Sequence, residues 1–290
     1  MAFKNLKEIV DADENGLTRT FGFRKLPNQV TTGQFWFDLS MSPGTPIPNY
    51  YAAAPLTSTI LRQSTDGGLF HGSSVSPATK YIKNLSILNT GAAGAVPAPF
   101  YILDYLMYYP FCDDGTTDEQ VMIQTNSLSR YANGNGVQIM AITVAARTGG
   151  ATFTVKYTNQ DGVSGRTTPV IIQNSISAIG TLTGITASTP ADPRSSRPFL
   201  PLQAGDTGVR SIESVTMLTT DVGLFSLVLV KPITQFAILE QTAPTEIDFV
   251  TDRSLMLPSV ETDAYLNFIL CPLGSVSGAT IMGTLKYTWS

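Results

Sequence analysis

Four carboxylate residues lie within one seven-residue stretch of this sequence: Asp113, Asp114, Asp118 and Glu119. Oxygen ligands at this density are typical of divalent-cation sites, and two carboxylates can also hydrolyse a glycosidic bond. Thr117 and Gln120 offer a simpler interpretation, because they fit the T-x-x-Q capping box of a helix with an acidic first turn. We expect the capping box, with a cation site and the carboxylate pair of a polysaccharide depolymerase as the alternatives.

A second acidic stretch, Asp11-Ala12-Asp13-Glu14-Asn15-Gly16, matches the D-x-D-x-N-G opening of an EF-hand calcium loop. Such a loop needs a bidentate glutamate at its twelfth position, where this chain has Gly22. The residues that follow also lack the pattern of an exit helix. We therefore expect that this stretch is the end of a helix followed by an acidic turn that Gly16 terminates, and that it binds no metal.

The chain has one histidine, His71, and two cysteines, Cys112 and Cys271. One histidine cannot supply a multi-histidine zinc site, and no G-x-S-x-G motif offers the nucleophile of a Ser-His-Asp triad. Both cysteines adjoin apolar residues, which is typical of buried free thiols. Gly134-Asn135-Gly136 lacks the third glycine of a dinucleotide-binding loop. The sequence predicts a protein that is not an enzyme, with no catalytic residue, metal or cofactor.

The composition indicates a folded chain with few charges. Hydrophobic residues make up 43 % of the 290 residues and charged residues 14 %, against about 25 % in an ordinary soluble domain. The net charge is −4 and the basic residues are scattered, which argues against nucleic acid as a partner. The N-terminus has no apolar leader, and the longest apolar run, Val222 to Val230, is shorter than the roughly 20 residues of a membrane span. We expect synthesis in the cytoplasm and no membrane contact.

Most of the chain after residue 80 shows the period of two that β-strands have. Phe153, Val155 and Tyr157 alternate with polar residues, and Val137 to Ala145 is apolar on both faces, as in a covered central strand. Lys231-Pro232 is a turn signal between two candidate strands. The pattern predicts an all-β fold, a β-sandwich or jelly roll. The predicted strands lie near 81–88, 99–108, 137–145, 152–157, 211–218, 222–230, 233–239, 264–270 and 281–289.

The first 76 residues have a different character. Leu6, Ile9 and Val10 have helical spacing, so we expect a short amphipathic helix over residues 4–12. Prolines and glycines recur over residues 15–76, here called the arm, and we expect no regular ladder there because proline lacks a donor. We therefore divide the chain in two. Residues 1–76 form the short helix and the extended arm, and residues 77–290 form the sandwich, with a long loop at about 174–208.

The arm is rich in large aromatic residues although it is irregular. Aromatic residues at low charge density are typical of contact surfaces, and ordinary core packing is the alternative. We expect core packing for Tyr101 to Phe111 and a contact surface within residues 35–51. The candidate interface residues are Phe35, Trp36, Phe37, Pro43, Pro46, Tyr50 and Tyr51.

Three stretches of the sequence resemble a family of virion structural proteins from tailed bacteriophages. They are Trp36 to Pro46 with Tyr50-Tyr51, Gly68 to Gly72 with Ser76 to Tyr81, and Asp104 to Phe111 with Thr117 to Gln120. The similarity runs from about residue 3 to 145. It consists of short similar stretches in the same order, and it includes no motif with known chemistry. No functional residue carries over from it.

This resemblance implies a capsid decoration, or cement, protein that binds over the major capsid protein lattice and stabilises the expanded shell. The implied partners are the major capsid protein and copies of the chain itself, as a homotrimer. The implied location is the capsid exterior, after synthesis in the host cytoplasm. The acidic charge balance agrees with a position away from packaged DNA.

A tail or receptor-binding (lectin-like) virion component is the alternative, with the site in the 174–208 loop. Packing of Trp36 and Tyr50 within the chain, together with a pocket at that loop, would favour the binding component. An arm that extends away from the sandwich would favour the decoration protein.

Overall fold

The computed structural model describes residues 3–91, 95–173, 178–183, 185–186, 197–252 and 257–290. Two α-helices, α1 (Leu6–Glu14) and α2 (Gln63–Asp66), and one 3-10 helix (Leu39–Met41) lie in its first quarter. The strands are β1 (Thr18–Lys25), β2 (Phe37–Asp38), β3 (Gly44–Thr45), β4 (Thr59–Ile60), β5 (Lys80–Thr90), β6 (Ala98–Asp113), β7 (Gln120–Val121), β8 (Gln138–Ala145), β9 (Thr152–Asn159), β10 (Arg166–Thr167), β11 (Ile171–Ile172), β12 (Leu182–Thr183), β13 (Ile185–Thr186), β14 (Val209–Met217), β15 (Leu224–Ile238), β16 (Thr245–Asp248), β17 (Ser259–Val260), β18 (Leu266–Leu270) and β19 (Thr280–Trp289).

The strands form three antiparallel sheets. The central sheet has the order β12-β8-β15-β6-β18-β2, with β4 also paired to β6. The terminal sheet, named for the two chain ends that meet in it, has the order β16-β5-β19-β1-β3, with β17 also on β5. The lateral sheet has the order β13-β11-β9-β14-β7, with β10 also on β9. The predicted all-β fold is confirmed.

Two sandwiches share the central sheet. Phe100 and Ile102 of β6 pack against the terminal sheet in a first core, together with Phe23 and Leu285. Farther along the same strand, Tyr109 and Cys112 lie in a second core with residues of the lateral sheet. The long strands β6 and β15 therefore join the two sandwiches into one body, and the predicted β-sandwich is confirmed.

Strand β15 differs from the prediction in one respect. The expected turn at Lys231-Pro232 does not exist, and the two predicted strands around it are one strand of 15 residues. Pro232 pairs with Leu103 beside a shift in register. Because a bulge has unpaired backbone positions, it tolerates the missing donor of proline.

The arm covers the opposite face of the central sheet. Leu103 and Tyr105 alternate with Ile102 along β6, so they face away from the first core, and they pack with Trp36 and Leu61 of the arm in a third core. Part of the arm prediction is wrong, because residues 18–25 form strand β1, which pairs with β19 over its full length. No proline lies within that stretch, so each of its residues keeps a backbone donor.

Candidate functional site

The structure does not gather the carboxylates of residues 113–119 around one point. Asp114 is buried, lies 3.6 Å from the Arg147 guanidinium and accepts a hydrogen bond from Gln173. Glu119 instead pairs with Lys156 at 2.8 Å on the lateral sheet. Among the described residues, no three His, Cys, Asp or Glu side chains form a metal-binding group. These carboxylates serve separate local contacts.

The predicted capping box is wrong. Residues 116–119 contain no helix, and Gln120 begins strand β7. The Gln120 side chain instead makes two hydrogen bonds to the Asp113 backbone, accepting from its N–H at 2.7 Å and donating to its oxygen at 2.8 Å. The amide that would cap a helix closes a loop between β6 and β7.

The acidic turn after α1 is held by lysines. Helix α1 confirms the expected N-terminal helix, and Asp11 in its last turn pairs with Lys7 at 2.7 Å. The Asp13 carboxylate contacts the ammonium groups of Lys83 and Lys286. These cations occupy the surroundings that a calcium ion would need.

His71 has a packing role at the end of the arm. Its ring is 2 % exposed, its Nε2 lies 3.0 Å from the Ala264 carbonyl oxygen, and its Nδ1 lies 3.1 Å from the Lys80 ammonium. Because an ammonium can only donate, the ring is neutral with its proton on Nε2. Burial and the charge of Lys80 lower the pKa of His71 to about 4.

The seven candidate interface residues separate into buried and exposed members. Phe35, Trp36, Phe37, Pro46 and Tyr51 are buried within the chain, and Pro43 is half-buried. Tyr50 is 56 % exposed, and on the same arm Ile47 is 65 % exposed and Val30 is 74 % exposed. We call Ile47 and Tyr50 the arm surface. The predicted contact with neighbouring subunits stays a prediction, and Tyr50 is the one exposed residue among the seven.

Asp38 fixes the arm to the central sheet. Its carboxylate is fully buried and accepts hydrogen bonds from the Ser40 backbone N–H at 2.9 Å, the Tyr51 hydroxyl at 2.6 Å and the Tyr105 hydroxyl at 2.7 Å. Burial raises the pKa of Asp38, and these donors oppose the shift. Sequence reasoning missed this residue, although a lone acid between Phe37 and Leu39 is a signal for a buried, satisfied carboxylate.

A buried ion pair fixes the arm a second time. The Arg130 guanidinium meets both oxygens of Asp104 at 2.8 Å, and both side chains are almost completely buried. Arg130 also donates to the backbone oxygen of Leu61 in the arm at 3.0 Å. The Tyr265 backbone N–H donates to the same carboxylate. One charged network thus joins the arm to β6 and to the residue before β18.

Lys25 closes the turn that carries the arm surface. Its Nζ is buried and donates to the backbone oxygens of Ser42 at 3.1 Å and Pro46 at 2.8 Å. Burial lowers the pKa of Lys25 to about 8, although the Asp38 charge opposes the shift. Gly44 lies so close to β1 that an added Cβ would stand 2.0 Å from the Arg24 oxygen. The turn therefore has a fixed path.

A cavity of about 370 Å³ opens between the arm and the central sheet beside the arm surface. We call it the arm cavity. Its wall is mostly apolar, and Asn28 and Gln29 also line it. The apolar wall residues are Phe37, Met41, Tyr50, Phe111, Val144 and Ile179.

The predicted 174–208 loop is partly described. Residues 174–177, 184 and 187–196 lie outside the described residues, and 182–183 and 185–186 form short strands. Phe199 packs against Tyr101 with ring centroids 5.8 Å apart, and a surface cavity of about 530 Å³ lies beside both. In the described parts of the chain, no helix has the length and apolar character to cross a membrane.

Comparisons with known proteins assign no family. No family model matches the chain, and no curated protein matches it. A structure of infectious bursal disease virus, Gx strain, is 8 % identical and covers 94 % of this chain and 80 % of its own. Its TM-score of 0.16 is too low for any argument about fold or function.

Proposed function

We propose that this chain is a non-enzymatic structural protein of a tailed-phage virion. It decorates the outside of the capsid and stabilises it by binding over the major capsid protein lattice, as a homotrimer. A protein that binds the assembled shell but not loose subunits stabilises the shell by its binding free energy. Many copies on a symmetric lattice multiply this effect.

The arm surface is the observation that carries the proposal. Ile47 and Tyr50 are large apolar side chains that stay exposed on a turn fixed by Lys25 and Asp38. A rigid apolar protrusion pays little conformational entropy when it is buried by a partner, which is a property of binding hot spots. The resemblance of residues 36–51 to phage virion proteins supports the same stretch as the contact.

A tail or receptor-binding component is the second candidate. Trp36 packs within the chain, at 5.3 Å from the Tyr101 ring, and the 197–207 segment borders the cavity of about 530 Å³. The arm lies on the sandwich and does not extend away from it. These observations favour the binding component, whereas the exposure of Tyr50 favours the decoration protein.

Sedimentation with capsids tests the proposal. Purified chain is mixed with undecorated expanded shells of the phage that encodes it, and the bound fraction is measured after pelleting. We expect saturable binding that Ile47→Asp weakens at least tenfold, since a charge in a hot spot leaves an unpaired buried group. Val163→Asp is the matched control, because Val163 is 51 % exposed on a hairpin of the lateral sheet.

Two results would count against the decoration role. Wild-type chain that stays in the supernatant with shells but binds purified tails would transfer the proposal to the tail component. Equal losses from Ile47→Asp and Val163→Asp would remove the arm surface as the contact.

A further inference from the structure

Residues 70–79, which lead into strand β5, have one buried attachment to the rest of the fold. The structure describes this whole segment, and His71 is the only residue in it that is buried. Strand β5 begins directly afterwards with Lys80, which is 4 % exposed. Phe70, in contrast, is 54 % exposed. We call residues 70–79 the lead-in segment.

Lys80 holds the lead-in segment through its ammonium group. The Nζ atom donates to the backbone oxygens of His71 at 2.6 Å and Ser73 at 2.9 Å, and to the His71 Nδ1 at 3.1 Å. On the other side of the ring, Nε2 donates to the Ala264 backbone oxygen at 3.0 Å. Because one ring nitrogen accepts and the other donates, this arrangement requires a neutral imidazole.

A proton on Nδ1 would turn the contact with Lys80 into a repulsion. Both nitrogens of an imidazolium are donors, so Nδ1 could no longer accept from the ammonium. Two buried cations would then lie about 3 Å apart. Among the other charged groups near the ring, Asp263 favours the extra proton and Arg130 opposes it. Tyr287 of β19 contributes an uncharged ring with its centroid 6.0 Å away.

The lead-in segment can open without breaking a sheet. No strand lies between α2 and β5, a stretch that the structure describes completely. The Phe70 ring packs edge-on against Phe21 with the centroids 4.8 Å apart, and Phe21 borders the first core. Segments with few buried contacts open locally at a low free energy. Opening of the lead-in segment would therefore uncover Phe21.

We propose that the contact between His71 and Lys80 is an acid-sensitive clasp, in which protonation of His71 releases the lead-in segment while the three sheets stay folded. In the released segment the ring is exposed to water, where the pKa of histidine is about 6.5. In the closed form, burial and the charge of Lys80 lower the pKa of His71 to about 4. A fall in pH from 6.5 to 4 therefore favours the released form.

Amide hydrogen exchange of the full-length chain at several pH values tests the clasp. The reporter is the residue 71 amide, which donates to the Gln63 side chain in the closed form. After correction for intrinsic exchange rates, we expect its opening equilibrium to rise about 100-fold between pH 7 and pH 4, as the two pKa values of His71 require. Low concentrations of urea should leave this opening unchanged, because local opening exposes little surface.

Two variants separate His71 from other acid-sensitive groups. His71→Gln should remove the rise, because glutamine stays neutral at every pH. Ser73→Gln is the matched control, since Ser73 is exposed in the same segment and contacts Lys80 through its backbone oxygen. It should keep the full rise.

The wild-type chain supplies an independent measurement, because His71 is its one histidine. Its imidazole signal in nuclear magnetic resonance should titrate near pH 4, and titration near pH 6.5 would overturn the clasp. A rise that persists in His71→Gln would also overturn it. So would a residue 71 amide that opens with the same free energy and urea dependence as the amides of β14, because the segment would then open only when the whole chain unfolds.

Discussion

Two neighbouring tyrosines of the arm differ in burial. Tyr51 is fully buried and donates its hydroxyl to Asp38, whereas Tyr50 is 56 % exposed beside the arm cavity. Tyr51 has φ of +52°, a left-handed conformation that changes the direction of the chain at this point. The same residue type thus anchors the arm at one position and remains available to a partner at the next.

The inward and outward sides of the whole arm differ in the same way as these two tyrosines. Its inward side is held by the Asp38 cluster and by the Asp104–Arg130 pair, and both are almost completely buried. Its outward side presents Ile47 and Tyr50, whose loss removes no contact with a core. Changes on the inward side should therefore alter stability, and changes on the outward side should alter only binding.

Arg130→Met should give the largest effect. The substitution leaves the Asp104 carboxylate buried without its cation, and breaking such a pair costs about 3–5 kcal/mol of unfolding free energy. Urea denaturation measures the loss. The double variant Asp104→Leu with Arg130→Met should recover at least about half of it, since an apolar pair leaves no unpaired charge. A double variant as unstable as the single one would show that Arg130 acts through its backbone contacts.

The next effect is the pH dependence that His71 causes. Its pKa is about 4 in the folded chain and about 6.5 when unfolded, so its contribution is present above pH 6.5 and is lost as the pH falls towards 4. The loss is about 3 kcal/mol at 1.36 kcal/mol per pH unit. His71→Gln should reduce this part of the decline between pH 6.5 and 4, whatever its effect at pH 7. An unchanged pH profile would contradict the assignment of this part of the decline to His71.

Tyr51→Phe and Tyr50→Phe compare the two tyrosines directly. Removal of the Tyr51 hydroxyl takes one donor from the buried Asp38 carboxylate and should cost about 1.5–3 kcal/mol of unfolding free energy. Tyr50→Phe should change stability by less than about 0.5 kcal/mol, since exposed positions rarely matter more. Thermal unfolding of both variants measures the two losses of stability. Equal losses would contradict the division of the arm into two sides.

Ile47→Ala should have the smallest effect on stability. The side chain is 65 % exposed, so we expect a change within about 0.5 kcal/mol in chemical denaturation. Binding to shells should fall at the same time. A loss of stability above about 1 kcal/mol would show that Ile47 packs more firmly than its exposure indicates.

The long strands could be predicted because their signal is local. Alternation along Phe153, Val155 and Tyr157 and the apolar run of β8 reflect which faces are covered, and each appears within a few residues. The single strand across Pro232 could not be predicted, because the bulge that accommodates it depends on its partner β6. The Lys231-Pro232 signal predicts a turn there, but the pairing of β15 with β6 keeps the chain extended.

The candidate site was only half predictable. Aromatic content identified residues 35–51 as unusual, but burial depends on partners far away in sequence, such as Tyr105 for Asp38 and Leu103 for the third core. The arm cavity left no local signal, since its wall comes from the arm, β6, β8 and residue 179. The spacing of residues within one stretch of sequence does not show which distant segments meet in the fold.

Cryo-electron microscopy of the native particle would locate this chain. We expect its density on the outside of the capsid lattice, in threefold clusters, with Ile47 and Tyr50 against major capsid subunits. Density confined to the tail or to the portal vertex, or a chain whose arm surface faces solvent in the particle, would contradict it.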